Sequence, residues 1–229
     1  MAIVKKYSAE IISIEQPLEQ LFTIRIRSLN GNFKYSPGQF LHFALEEYDP
    51  SAAWPESRCF SMQSTAKDEL ITITYAVKGV FTQRMASELK VGTLVSLKLP
   101  YGDLFSQDHS KENTIFIAGG TGITPFLSLF NDASFVNYSK PLLYAGFRER
   151  KMNLYNDDIS IAKQINPSLK VNCIYQDENG ILDIAGILKT NDIYRTFFIS
   201  GPPLMIKNFK NYLIEKGVSK NQIKTDDWE

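Results

Sequence analysis

The chain has 229 residues, 44% hydrophobic and 22% charged, and its 25 basic and 25 acidic side chains cancel. That length allows one large domain or two small ones with a real core, while zero formal charge gives no global field that would draw nucleic acid or an anionic membrane surface. Two cysteines, Cys59 and Cys173, exclude an internal iron–sulfur cluster held by four thiolates and any disulfide framework, and His42 and His109 lie too far apart in sequence to suggest a zinc site.

Residues 1 to about 105 read as strands punctuated by turns, with one short helix. The strands are expected at Tyr7 to Ile14, Leu21 to Leu29, Gln39 to Leu45, Cys59 to Gln63, Leu70 to Val77 and Thr93 to Leu99. Alternation in Phe22-Thr23-Ile24-Arg25-Ile26-Arg27 and in Leu70 to Tyr75 buries one face, and Asn30-Gly31, Pro37-Gly38 and Lys90-Val91-Gly92 are turn signals. Six strands in a hundred residues predict an antiparallel β-barrel.

Two motifs stand out in this half. Arg58-Cys59-Phe60-Ser61 opens a strand and offers a rigid guanidinium fork, a flat apolar ring and a hydroxyl, the three kinds of contact a flavin nucleotide needs. Taken alone, the tetrapeptide is better explained by a surface arginine beside a core phenylalanine. In Val77 to Met85 (VKGVFTQRM), Lys78-Gly79 ends a strand, and Thr82 is expected to cap a helix running to about Leu89, so N–H groups and a hydroxyl converge where a phosphate can bind. A glycine turn before an amphipathic helix is the plainer alternative.

After a polar stretch, Asp108 to Asn113, strands alternate with helices. Strands are expected at 114–118, 141–147, 169–175, 196–200 and 222–225, and helices at 124–131, about 153–165, 183–189 and 203–216, the last stopped by Gly217. This is the pattern of a doubly wound parallel α/β domain. Its first strand, Thr114 to Ala118, is almost wholly apolar, as a strand buried on both faces should be. Gly119-Gly120-Thr121-Gly122 then removes side chains, Thr124 can N-cap a helix and Pro125 suits its first turn, which together form a candidate phosphate or dinucleotide site. A tight strand-to-helix turn without a ligand accounts for the same residues. There is no G-x-S-x-G elbow, and no Cys/His pairing legible in the sequence that would make Cys59 a nucleophile.

Taken in order, RCFS, KGVFTQRM, Pro100-Tyr101-Gly102, GGTGITP, Gly201-Pro202-Pro203 with Met205, and Thr225-Asp226-Asp227-Trp228 resemble the ferredoxin-NADP reductase family over nearly the whole chain. The resemblance implies an FAD-binding barrel over 1–108 and an NAD(P)-binding α/β domain over 109–229. It implies that Arg58 meets the FAD diphosphate, Phe60 packs on the isoalloxazine and the Ser61 hydroxyl faces flavin N5, with Cys59 in the same strand. Phe60 stands where the family usually has Tyr and loses that hydroxyl. The segment Lys78, Gly79, Val80, Phe81 and Thr82 would hold the diphosphate, and Tyr75 and Val77 would line the flavin. Gly120, Thr121 and Gly122, with Thr124 and Pro125, would admit the nicotinamide dinucleotide, as would Gly201, Pro202 and Met205. Ser200, where the family often has Cys, and Asp226, where it has a glutamate, would stand near the reaction centre, with Trp228 as an aromatic close to the flavin.

Arg148 and Arg150 follow the second strand of the α/β domain, where cations can meet a 2′-phosphate. Family members using NADPH commonly place Ser-Arg after the third strand, whereas this chain has Tyr175-Gln176-Asp177, and an aspartate repels phosphate. The expectation is FAD with NADH or NADPH, leaning to NADH. The implied activity is hydride transfer from nicotinamide C4 to flavin N5 and single-electron delivery to a separate ferredoxin, flavodoxin or oxygenase component. Alternatives are a reductase that uses free flavin as substrate, which often carries Phe at the Phe60 position, and a non-catalytic nucleotide-binding redox sensor or subunit. The start MAIVKKYSAE lacks the apolar core of a signal peptide and no apolar run reaches the roughly 20 residues of a span, so a cytoplasmic monomer without membrane insertion is expected.

Overall fold

The computed structural model describes residues 3–226. The chain divides into two compact units, Met1–Asp103 and Leu104–Glu229, so the polar stretch 108–113 lies within the second.

The first unit contains β1 (Lys5–Leu18), β2 (Leu21–Ser28), β3 (Phe40–Ala44), β4 (Ser57–Ser61), β5 (Ile71–Ala76), α1 (Val80–Glu88) and β6 (Leu94–Tyr101). All six strands pair antiparallel in the order β4-β3-β6-β1-β2-β5. The barrel nearly closes between its end strands. Just beyond β4, the Gln63 N–H donates to the Thr72 carbonyl of β5 at 2.9 Å, and the Thr74 hydroxyl donates to the Gln63 side chain at 2.8 Å. Alternation explains the core: Ile24 and Ile26 are fully buried while Arg25 and Arg27 between and after them face solvent. Leu41, Phe43, Ile71, Ile73, Leu97 and Leu99 fill the same interior, and α1 contributes Phe81 and Met85 to it. Burying such side chains is the main favourable term for a barrel of this size.

The second unit begins with β7 (Ile115–Gly119) and a 3₁₀ turn (Gly120–Ile123) that runs into α2 (Thr124–Phe130). It continues with β8 (Leu142–Phe147), α3 (Asn156–Ile165), β9 (Lys170–Tyr175), the one-turn α4 (Gln176–Asn179), α5 (Ile184–Lys189), β10 (Phe197–Ser200), α6 (Pro203–Glu215) and β11 (Ile223–Thr225). Five parallel strands order as β11-β10-β7-β8-β9. Phe116 and Phe198 stack at 5.3 Å on one face with Phe126 and Phe130 of α2, while Ile115, Ile117 and Ile199 pack against Ile187 and Leu213 of α5 and α6 on the other. Helices on both faces make this a doubly wound sheet, which is why β7 reads as a continuous apolar run. The strand order reverses between β7 and β10, so the carboxyl ends of these two strands mark the switch point where open α/β sheets bind ligands.

Two sequence expectations about helix starts are corrected. Thr82 is not the cap of α1 but its third residue, and Gly79 occupies the cap position. Thr124 likewise is no N-cap: its hydroxyl donates to the Thr121 carbonyl at 2.9 Å inside the 3₁₀ turn, and both Thr124 and Pro125 are buried. In each case the hydroxyl is taken up by backbone groups of the turn that leads into the helix.

Candidate functional site

In the first unit, β4 carries the site. The pairs Phe43↔Arg58, Leu41↔Phe60 and His42↔Cys59 put Arg58 and Phe60 on the face shared with the buried Leu41 and Phe43, and Cys59 on the opposite, outer face. Cys59 therefore has only its backbone to offer a ligand that lies against Arg58 and Phe60. Ser61, the last residue of β4, is half-buried, and the same alternation directs its side chain with Cys59 rather than with Phe60. Phe60 meets Phe43 and Tyr75 edge to face, at 6.1 and 6.0 Å between ring centres. Tyr75 is 3% exposed and stacks on Phe22 at 5.4 Å, with burial pushing its hydroxyl up to about 12, so it supports Phe60 from the core more than it lines an open face.

The guanidinium of Arg58 lies 5.2 Å over the ring of Phe81, the second residue of α1. Two motifs separated in sequence thus meet, with a cation beside a helix N-terminus. The turn before the helix is already satisfied: the Thr82 hydroxyl accepts from the N–H groups of Lys78 and Gly79 at 2.9 and 3.1 Å and donates to the Gly79 carbonyl at 3.0 Å. The hydroxyl and the Gly79 amide, expected from sequence to hold a diphosphate, instead hold each other and shape the turn. The first-turn amides of Val80, Phe81 and Thr82, which no residue of the helix can satisfy, remain as the anion donors. Val80 is exposed, Val77 is half-buried, and the Phe81 ring is in the core. Arg58 itself bonds the Ser57 carbonyl and Glu56, both at 2.9 Å, and a pair this exposed adds little stability, so an anion can replace it.

In the second unit the two glycine turns interlock. A Cβ on Gly122 would lie 2.5 Å from both Cα and N of Gly201, and one on Gly119 would lie 2.8 Å from the sulfur of Met205 and 2.9 Å from Pro202. The absent side chain of Gly122 therefore makes room for the SGPP turn rather than for a ligand. Gly120, at φ +55° with nothing within 4 Å of its Cβ position, is the glycine that leaves open space at the switch point, beside the half-buried Thr121. Gly119, the first glycine of that turn, is the floor under Met205. Ser200, 2% exposed at the end of β10, donates to the Asp226 carboxylate at 3.0 Å, and Asp226 is placed there by β11, its own amide bonding the Ile199 carbonyl at 3.0 Å. The two residues expected near the reaction centre are thus brought together. Trp228 lies outside the described residues.

Beyond β8 and β9, a shallow cavity is lined by Arg148, Glu149, Gln176 and Asp177, and the Asp177 amide bonds the Arg148 carbonyl at 3.2 Å. Arg150 forms a two-pronged pair with Glu178, at 3.0 and 2.6 Å, and lies 4.3 Å over the Tyr175 ring; Lys151 pairs with Glu149 at 2.7 Å. These partners, with Asp177, raise the affinity of both cations for their protons. Arg148 has no ion pair among the described residues, so the charges left at the cavity are Arg148 and Asp177.

Sequence reasoning also missed a cluster on the outer face of β3 and β4. Cys59 Sγ is 3.7 Å from His42 Nε2, residues that the sequence separates by 17 positions and β-pairing makes adjacent. Alternating apolar patterns identify a strand's buried face but not its partner's register, so no signal in one sequence could have joined them.

For FAD, the donor set fits: a guanidinium beside free first-turn amides suits a diphosphate, and Phe60 supplies an apolar face. For the nucleotide, the open backbone at Gly120 and the Ser200–Asp226 pair stand at the switch point.

The domain family described as "Oxidoreductase NAD-binding domain" matches residues 116–210. The chain is 28% identical to methane monooxygenase component C of Methylosinus trichosporium over 187 residues, which cover 78% of this chain and 53% of that protein, so it spans about half the length of that relative. The structure superposes on a ferredoxin NADP+ reductase from Neisseria gonorrhoeae with bound FAD and NADP at a TM-score of 0.81, with 18% identity, covering 97% of this chain and 98% of that one. It superposes on the ferredoxin reductase in carbazole 1,9a-dioxygenase at 0.77, with 20% identity, covering 99% and 70%. With its motifs in order, a barrel followed by a doubly wound sheet, and these matches, the chain carries an oxidoreductase NAD-binding domain and is similar in fold to the ferredoxin-NADP reductase family.

Proposed function

We propose that the chain is an FAD-dependent NAD(P)H oxidoreductase that hands electrons to a separate acceptor protein, an oxygenase component, ferredoxin or flavodoxin. The observation that carries this reading is the approach of Arg58 to the first turn of α1, which assembles a diphosphate site on the strand that bears Phe60. Relatives named as reductase components of a monooxygenase and a dioxygenase system support the acceptor class.

Bound flavin supplies an acceptor for a hydride and a donor of single electrons. The chain's own residues bind and orient. Arg58 and the α1 amides would neutralise the diphosphate and Phe60 would offer its ring as a flat wall, while Ser61, whose side chain is directed with Cys59, would offer its backbone at the end of the same strand. In the second unit the open turn at Gly120 admits a dinucleotide backbone, and Asp226 fixes the rotamer of Ser200 so that this small polar group is held still. We infer a preference for NADH. Asp177 is the acidic group beside Arg148 that forms no salt bridge among the described residues, and its negative charge opposes a 2′-phosphate there.

The test is the flavin content of purified protein. We expect yellow protein that releases FAD on heating. Arg58→Ala should weaken FAD binding about 10- to 100-fold, the worth of a charge-assisted hydrogen bond, and leave riboflavin binding unchanged. Colourless protein that turns over only on added flavin would instead make it a free-flavin reductase.

A further inference from the structure

We propose that Glu56 is a built-in counter-ion that competes with the flavin diphosphate for Arg58 and so sets how firmly FAD is held. The inference rests on the FAD reading above and adds to it a residue that works against binding.

Both terminal nitrogens of Arg58 are engaged by its own stretch of chain. Nη1 donates to the Ser57 carbonyl and Nη2 to Glu56 Oε1, each at 2.9 Å. The two contacts differ in kind. A carbonyl orients the guanidinium and leaves its charge in place, whereas the carboxylate two residues back offsets the positive charge that a diphosphate needs. An anion that takes Nη2 must therefore displace Glu56 or bind beside a negative charge. Either route weakens it.

Glu56 also restrains the guanidinium, so the sign of its effect depends on what else holds Arg58 in place. Two restraints remain without it. The Ser57 carbonyl keeps its bond, and the Phe81 ring, 5% exposed at the start of α1, lies 5.2 Å from the guanidinium carbon. Competition thus outweighs preorganisation. Other carboxylates around α1 are committed elsewhere, since Glu46 and Glu88 both pair with Arg84, at 2.8 and 2.9 Å. The Thr82 hydroxyl is likewise taken up within its own turn, so the charge of Arg58 carries more of the diphosphate binding.

The side chain of Glu56 is 55% exposed and can swing into solvent when displaced. An ion pair this open is weak, so Glu56 tunes affinity by a modest factor of about 3 to 10 and does not block the site.

The test is the FAD dissociation constant of the full chain, measured by flavin fluorescence titration, with riboflavin as a second probe that lacks the diphosphate. Glu56→Gln should bind FAD about 3- to 10-fold more tightly than wild type, leave riboflavin affinity unchanged, and lose its advantage at high salt. Glu47→Gln, which removes an exposed charge from the same connection, should bind FAD as wild type does. In an Arg58→Ala background the gain from Glu56→Gln should fall below about twofold, because the cation it competes for is gone. Circular dichroism checks that each variant is folded, and Glu56→Ala serves as a second removal of the charge. Equal FAD affinity in wild type and both folded Glu56 variants would overturn the proposal. So would an equal gain in Glu47→Gln, an equal gain for riboflavin, or an undiminished gain without Arg58. Wild-type protein that takes up no FAD would overturn the FAD reading along with this inference, whereas FAD uptake indifferent to Glu56 overturns the inference alone.

Discussion

Gly122 and Gly120 are neighbours in one motif with different physical duties. A methyl at Gly122 collides with the Gly201 backbone, which has no flexible end to swing away, so Gly122→Ala should cost about 1–3 kcal/mol and lower the thermal midpoint. Gly120 needs only its left-handed backbone, and Asn tolerates that conformation, so Gly120→Asn should unfold close to wild type. Equal midpoints for the two variants would contradict this division. The sequence located the glycine turn correctly but could not apportion its residues, because what faces Gly122 is Gly201 of a later turn. Thr82 and Thr124 teach the same lesson: both sit where hydroxyls were expected, and both are occupied by nearby backbone groups.

Among elements, strands and helices were legible wherever one period dominated. Alternation marked β2 and β5, and the apolar run marked β7. The two faces of β4 were not legible, since the pairing that sends Arg58 and Phe60 one way and Cys59 the other is set by β3. In the proposed function, the connection after β9 sets the coenzyme preference. Two of its acidic groups are neutralised locally, Glu178 by Arg150 and Glu149 by Lys151, which leaves Asp177 to oppose Arg148. Removing a like charge near a phosphate changes binding by about 1 kcal/mol or more. Asp177→Ser should therefore improve kcat/KM for NADPH about tenfold with little change for NADH, and adding Arg148→Ala should cancel the gain. An unchanged NADPH/NADH ratio in Asp177→Ser would remove Asp177 from the account.

For the whole molecule, composition changes in mid-chain from strand-rich to alternating, and this is why a barrel and a doubly wound sheet were both readable without coordinates. The reading assigns the flavin to residues of the first unit and the nicotinamide nucleotide to residues of the second, so reduction of one by the other tests both assignments together. The direct measurement is rapid anaerobic mixing of the flavin-loaded protein with NADH and, separately, NADPH. The account predicts loss of the oxidised-flavin absorbance with NADH, faster than with NADPH; an unchanged flavin spectrum with both nucleotides would contradict it.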